Sequence, residues 1–107
     1  MQSPEASVDA VFGALADPTR RHLIEMLADR PGATATGLAA ELPISRQAVA
    51  KHLKQLHVAG LVSGSRRGRE LRFELEAEAL AEAAAWIAAV GGEWDDRPGA
   101  LRSTLRR

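Results

Sequence analysis

The stretch SRQAVAKHLKQL, from Ser45 to Leu56, decides how this chain folds. Val49, Leu53 and Leu56 recur at i, i+4 and i+7, which puts three apolar side chains on one face of a helix. Ser45, Arg46, Gln47, Lys51 and Lys54 fall on its other sides. Ser45 is a good N-cap, and Leu42-Pro43-Ile44 before it reads as a tight turn. A short, anchored helix that shows Arg, Gln and Lys outward suits the DNA major groove. Arg and Gln make bidentate contacts to guanine and adenine edges, and Lys meets phosphates. An ordinary amphipathic surface helix would show some of the same features, so the neighbouring segments have to discriminate.

Upstream, Thr36 can cap a short helix over Gly37 to Glu41, with Leu38 and Leu42 packing inward. Short helix, turn, capped basic helix is the order of a helix-turn-helix. Downstream come Gly60-Leu61-Val62, the basic run Arg66-Arg67-Gly68-Arg69, and then Leu71-Arg72-Phe73-Glu74-Leu75. The last run alternates strictly, with Leu71, Phe73 and Leu75 on one face, as a half-buried strand requires. Gly68 can supply the positive φ of a hairpin turn. An arginine-tipped hairpin directly after a recognition helix is a wing.

Three stretches carry a family resemblance: FGALADPTRRHLIEML (Phe12 to Leu27), LAAELPISRQAVAKHLKQLHVAGLV (Leu38 to Val62) and RRGRELRFEL (Arg66 to Leu75). In order and spacing they resemble the ArsR-type winged helix-turn-helix repressors over most of the chain. The resemblance implies a dimeric, DNA-binding transcriptional repressor. The expected fold is mainly α with a small β-hairpin, α+β in class. Its expected element order is α-α-α-α-β-β-α, in a single domain over residues 1–107 whose N- and C-terminal helices serve dimerisation.

A chain of 107 residues buries only about two-thirds of its unfolded surface, so further burial by dimerisation is expected. Formal net charge is zero, an unusual value for a DNA-binding domain. The charges are segregated, however. Between Ser45 and Arg72 the basic residues are Arg46, Lys51, Lys54, Arg66, Arg67, Arg69 and Arg72, against Glu70 alone. Between Phe73 and Asp96 every charge is acidic: Glu74, Glu76, Glu78, Glu82, Glu93, Asp95 and Asp96. One region is suited to phosphate and the other is not.

The first helix should cover Val8 to Leu15, with Val8, Val11, Phe12 and Leu15 on one side. Asp17-Pro18 restarts a second helix, because Asp caps and Pro fits the first turn. Leu23, Ile24 and Leu27 face inward, and Asp29-Arg30-Pro31-Gly32 ends it near Ala28. A last helix begins near Glu76. Leu80, Ala84, Ile87 and Gly91 form one stripe on it, and Ala83, Trp86, Val90 and Trp94 the adjoining one. That surface is wider than a small monomer needs, which points to a homodimer interface shared with Phe12 and Leu15. Gly91-Gly92 and Pro98-Gly99 weaken the helix, so Leu101 to Arg107 reads as a short separate helix or a frayed tail.

Metal-sensing members of the resembled family place cysteines at the start of the helix-turn-helix, or Asp and His pairs on the last helix. This chain has no cysteine, and its turn reads Glu41-Leu42-Pro43-Ile44-Ser45. His22, His52 and His57 all precede the wing, and no imidazole or thiolate set converges. No metal and no cofactor is therefore expected. Trp86 and Trp94, followed by Arg97, Leu101 and Leu105, resemble a metal-free branch whose members repress their own operons.

The expected DNA contacts are Ser45, Arg46, Gln47, Ala50, Lys51, His52 and Lys54 on the helix and Arg66, Arg67 and Arg69 on the wing. Ala50 suits close approach or a thymine methyl. His52 lies beside Leu53, where structural support competes with a phosphate contact. An enzyme is disfavoured. Tyr and Cys are absent, and no phosphate-binding glycine loop is present. Ser45 and His52 are two turns apart with no acid placed to orient the imidazole. The remaining alternative is a winged helix that docks protein rather than DNA. Against it, Arg46, Gln47, Lys51 and the wing arginines stand where such a surface would show aromatic or aliphatic side chains. The Met1-Gln2-Ser3-Pro4-Glu5 start shows no secretory pattern, and Ala79 to Val90 is too short to span a bilayer. The expected location is cytoplasmic. An inducer, if one exists, has no signature in the sequence.

Overall fold

The computed structural model describes residues 8–95. Eight elements follow one another: α1 (Val8–Leu15), α2 (Pro18–Asp29), β1 (Ala33–Thr34), α3 (Ala35–Ala39), α4 (Arg46–Val58), β2 (Val62–Arg67), β3 (Glu70–Leu75) and α5 (Ala77–Asp95). The mainly helical winged fold is as expected, with one added element. The strand β1 pairs antiparallel with β3, Ala33 opposite Phe73 and Thr34 opposite Arg72. The sheet thus has three strands in the order β1-β3-β2.

The core is built from the apolar faces that the helix periodicities mark. Leu23, Ile24, Met26 and Leu27 of α2 meet Leu38 of α3, Val49, Leu53 and Leu56 of α4, and Leu61 and Val62 at the entry to the wing. Val11 and Ala14 of α1 and Ala83 of α5 close it. Among the described residues, no buried side-chain nitrogen or oxygen lacks a hydrogen-bond partner.

Two short polar segments fix the helix ends. At the α1–α2 corner, Asp17 Oδ1 accepts from the backbone N–H groups of Thr19 (2.8 Å) and Arg20 (3.1 Å). Arg20 Nε turns back to donate to the Ala14 carbonyl at 2.8 Å, and Arg21 Nη1 to that of Leu15 at 2.7 Å. The ADPTRR run thereby satisfies the start of one helix and the end of the previous one. At α3 the expected cap, Thr36, is displaced by Thr34, whose Oγ1 accepts from Gly37 N at 3.0 Å. Pairing with β3 draws Ala33 and Thr34 into extended backbone, the conformation an N-cap needs, and the helix starts two residues early. The Arg30–Glu41 ion pair links the end of α2 to the turn after α3.

The wing follows its alternation with a gradient. Leu75 and Phe73 are half-buried against the core, whereas Leu71 is 41% exposed because the hairpin has by then left the body. Gly68 adopts φ +65° in the turn, as expected. Among the described side chains of α5 only Ala83 is buried; Leu80 and Val90 are half-buried, and Ala84 is exposed. Trp86 (54% exposed) makes an edge contact with Phe12 of α1, ring centroids 5.8 Å apart, and Ile87 beside it is 53% exposed. The helix runs through Gly91-Gly92 to Asp95. The Trp94 side chain, Arg97, and the expected Leu101 to Arg107 segment lie outside the described side chains.

The α1–α2 corner carries a pH dependence. The Arg20 and Thr19 N–H groups, with smaller contributions from the His52 and Arg20 charges, hold the Asp17 carboxyl below its usual value against some desolvation. Its ionised form is thus favoured by folding. The stabilisation is complete above the unfolded pKa, about 4, and is lost as pH falls through the folded value. The Asp17→Asn variant keeps a capping side chain but has no proton to bind. Its melting temperature should fall less than that of the wild type between about pH 6 and pH 3. Equal losses in parallel thermal melts would show that Asp17 is not the titrating cap.

Candidate nucleic-acid interface

The orientation of α4 follows from its burial. With Val49, Leu53 and Leu56 at 0%, 1% and 0% exposure, the side bearing Arg46, Gln47, Ala50, Lys51 and Lys54 is left to solvent. The helix starts where the sequence expects, with Ser45 Oγ accepting from Ala48 N at 3.0 Å. At its other end, His57 Nδ1 lies 3.1 Å from the Val62 carbonyl, tying the helix to the first wing strand. His52, unlike the other α4 residues expected to meet DNA, is half-buried, and its charge helps hold the Asp17 carboxyl below its usual value.

The wing stands beside α4 and leaves two clefts between them. One, of about 510 Å³, is lined by Arg46 and Ala50 of α4, Arg66, Arg69 and Phe73 of the hairpin, and Thr36 of α3, among others. The second, of about 360 Å³, lies on the other side of Leu71 and Phe73 and is bounded by Ala50, Lys54, His57 and Gly64. Arg46, Ala50, Arg66 and Arg69 are therefore brought to one recess from two distant parts of the chain, and Lys54 to the neighbouring one, with Ala50 lining both. Gln47, Lys51 and Arg67 are exposed but line neither cleft. Gly64 faces Phe73 across the hairpin, where a Cβ would approach Leu71 Cδ1 to 3.3 Å, so the absence of a side chain keeps the second cleft open.

The charges in this region are available. Arg72 binds Glu70, the one acid of the basic segment, through Nη2 at 2.6 Å and Nε at 3.1 Å. Among the described residues no carboxylate pairs with Arg66, Arg67, Arg69, Lys51 or Lys54. Cations without a protein counter-ion are suited to a polyanion.

Sequence reasoning did not find one contact. Arg46 Nε donates to Thr36 Oγ1 at 3.2 Å, so the first residue of the recognition helix is bonded to the preceding helix. The Thr34-x-Thr36 spacing, with either hydroxyl able to cap, was the available signal. Among the described residues, no three His, Asp or Glu side chains gather as a metal site would require. No helix among them is long and apolar enough to cross a membrane.

Comparison with known proteins agrees with this geometry. Residues 15–64 match the family model of a helix-turn-helix domain. Over 75 residues the chain is 44% identical to an HTH-type transcriptional regulator of Mycobacterium tuberculosis, covering 70% of this chain and 69% of that protein. An ArsR-like transcriptional regulator from Rhodococcus sp. RHA1 superposes with a TM-score of 0.75 at 39% identity, over 92% of each chain. The cadmium metal-sensor CmtR of M. tuberculosis is similar at 34% identity and a TM-score of 0.58, over 68% of this chain and 75% of that one. With its capped basic helix, arginine wing and these relatives, the chain belongs to the ArsR family of winged helix-turn-helix, DNA-binding transcriptional regulators.

Proposed function

We propose that the protein is a cytoplasmic homodimeric repressor that binds a palindromic operator, one α4 per half-site, and is not released by metal. The observation that carries this reading is the recess where Arg46, Ala50, Arg66 and Arg69 meet, none of these arginines paired with a carboxylate among the described residues. Arg46 and Gln47 stand at the N-terminal turn of α4, the part of a recognition helix that meets base edges. Arg67 and Arg69 flank Gly68 at the hairpin tip, in reach of phosphates or the minor groove.

Dimerisation is supported by α5. Trp86 and Ile87 are each more than half exposed beside Ala84, and this apolar strip adjoins Phe12 of α1. A two-fold partner covering it would set two α4 helices about 34 Å apart, one turn of DNA. Metal-free behaviour is supported by the donor set. Cysteine is absent, His57 is engaged with the Val62 carbonyl, and His22 and His52 sit on separate helices.

Four outcomes are expected. In gel shifts with DNA from upstream of its own gene, Arg46→Ala or Gln47→Ala should cost roughly 1–3 kcal/mol and relax preference at particular base pairs. Replacing Arg67 and Arg69 together should weaken binding to every duplex and flatten the log–log salt slope by about 0.9 per lost phosphate contact. An unaltered ratio of operator to scrambled DNA, or an unaltered slope, removes the residue concerned from the interface.

Ile87→Glu should convert dimer to monomer by light scattering, because it buries an unpaired carboxylate at the contact, and should reduce operator affinity more than any single α4 change. A variant that stays dimeric, or a monomeric wild type that binds tightly, refutes the assembly. Zinc, nickel, cadmium or arsenite at micromolar concentration should leave the DNA complex intact. Stoichiometric tight binding by calorimetry coupled to release of DNA would refute the metal-free reading.

A further inference from the structure

We infer that Thr36, outside the recognition helix, is a positioning residue that fixes the way Arg46 reads DNA; the inference rests on the base-reading role of Arg46 proposed above. Arg46 Nε donates to Thr36 Oγ1 at 3.2 Å. A guanidinium carries five N–H donors in a planar fork. With Nε engaged, the four donors on Nη1 and Nη2 remain, and no protein acceptor among the described residues takes them. The side chain is left with an end-on fork, two parallel donors matched to O6 and N7 of guanine.

Both ends of this contact are held. Arg46 is the first residue of α4, directly behind the Ser45 cap. Thr36 lies in the first turn of α3, which Thr34 caps and Leu38 anchors in the core at 0% exposure. Both partners are exposed, so water would satisfy either one in the absence of the other. Burial of polar groups therefore gives the contact no structural task. Its effect is to confine a long side chain that otherwise loses rotamer freedom only on meeting DNA. The hydroxyl supplies the acceptor, so serine can replace threonine here while valine, of the same shape, does not.

The test uses full-length protein and duplexes selected by the wild type from a random-sequence library. Affinities are then measured for single base-pair changes, and the position whose preference Arg46→Ala abolishes is identified. Thr36→Val and Thr36→Ala should each lose about three- to tenfold of the preference at that position, with thermal melts near the wild type. Thr36→Ser should stay within roughly twofold, and Thr36→Val combined with Arg46→Ala should lose no more preference than Arg46→Ala alone. The inference is overturned if Thr36→Val keeps the preference. It is also overturned if valine weakens all duplexes equally, as loss of a phosphate contact would, or if serine fails as badly as valine. Should Arg46→Ala alter no base preference, the base-reading role fails first and takes this inference with it.

Discussion

Burial of Val49, Leu53 and Leu56 is the constraint on which the other features depend. Three apolar side chains at 0–1% exposure fix the rotation of α4 about its own axis. Once that rotation is set, Arg46, Ala50 and Lys54 lie on the side of α4 that lines the two clefts beside the wing. The wing's base is set by the same core, since Leu61 and Val62 enter it directly after α4 ends. Rotating α4 by a single residue position would remove three branched side chains from the interior, at a cost of several kcal/mol from area alone. No surface contact in the molecule can compete with that.

Charge is used in two distinct ways. On the body, ionic groups finish helices: Asp17 takes N–H groups at the start of α2, and Arg20 and Arg21 take carbonyls at the end of α1. On the side formed by α4 and the wing, arginines and lysines have no counter-ion among the described residues, apart from Arg72, which neutralises Glu70. A net charge of zero therefore conceals two populations, one satisfied internally and one available to a partner.

The parts legible in the sequence are those with a period or a fixed stereochemical requirement. The α4 face, its Ser45 cap, the Asp17-Pro18 restart and the Gly68 turn all belong here, because each is specified within a few residues. The strand β1 was not legible: two residues show no alternation, and its existence depends on β3, some forty positions away. The choice of Thr34 over Thr36 as cap follows from that same pairing. The Arg46–Thr36 bond depends on the angle between α3 and α4, which no local pattern encodes. On α5, alanine is a poor witness: Ala83 is buried and Ala84 exposed, with nothing in their identity to distinguish them.

The short pairing of β1 divides the hairpin into two mechanical parts. Beside Phe73 and Arg72 the central strand is hydrogen-bonded on both edges, and Gly32 N adds a bond to the Phe73 carbonyl at 2.9 Å. Past that point, where Arg66 and Arg67 face Leu71 and Glu70, only two strands remain. Two-stranded ribbons twist more strongly than wider sheets. The inner half is therefore tied to the segment leading into α3, while the outer half is a ribbon joined to the sheet only at its base. The direction in which Arg66 and Arg67 leave the body is thus set by the twist of that ribbon and not by the packing that orients α4.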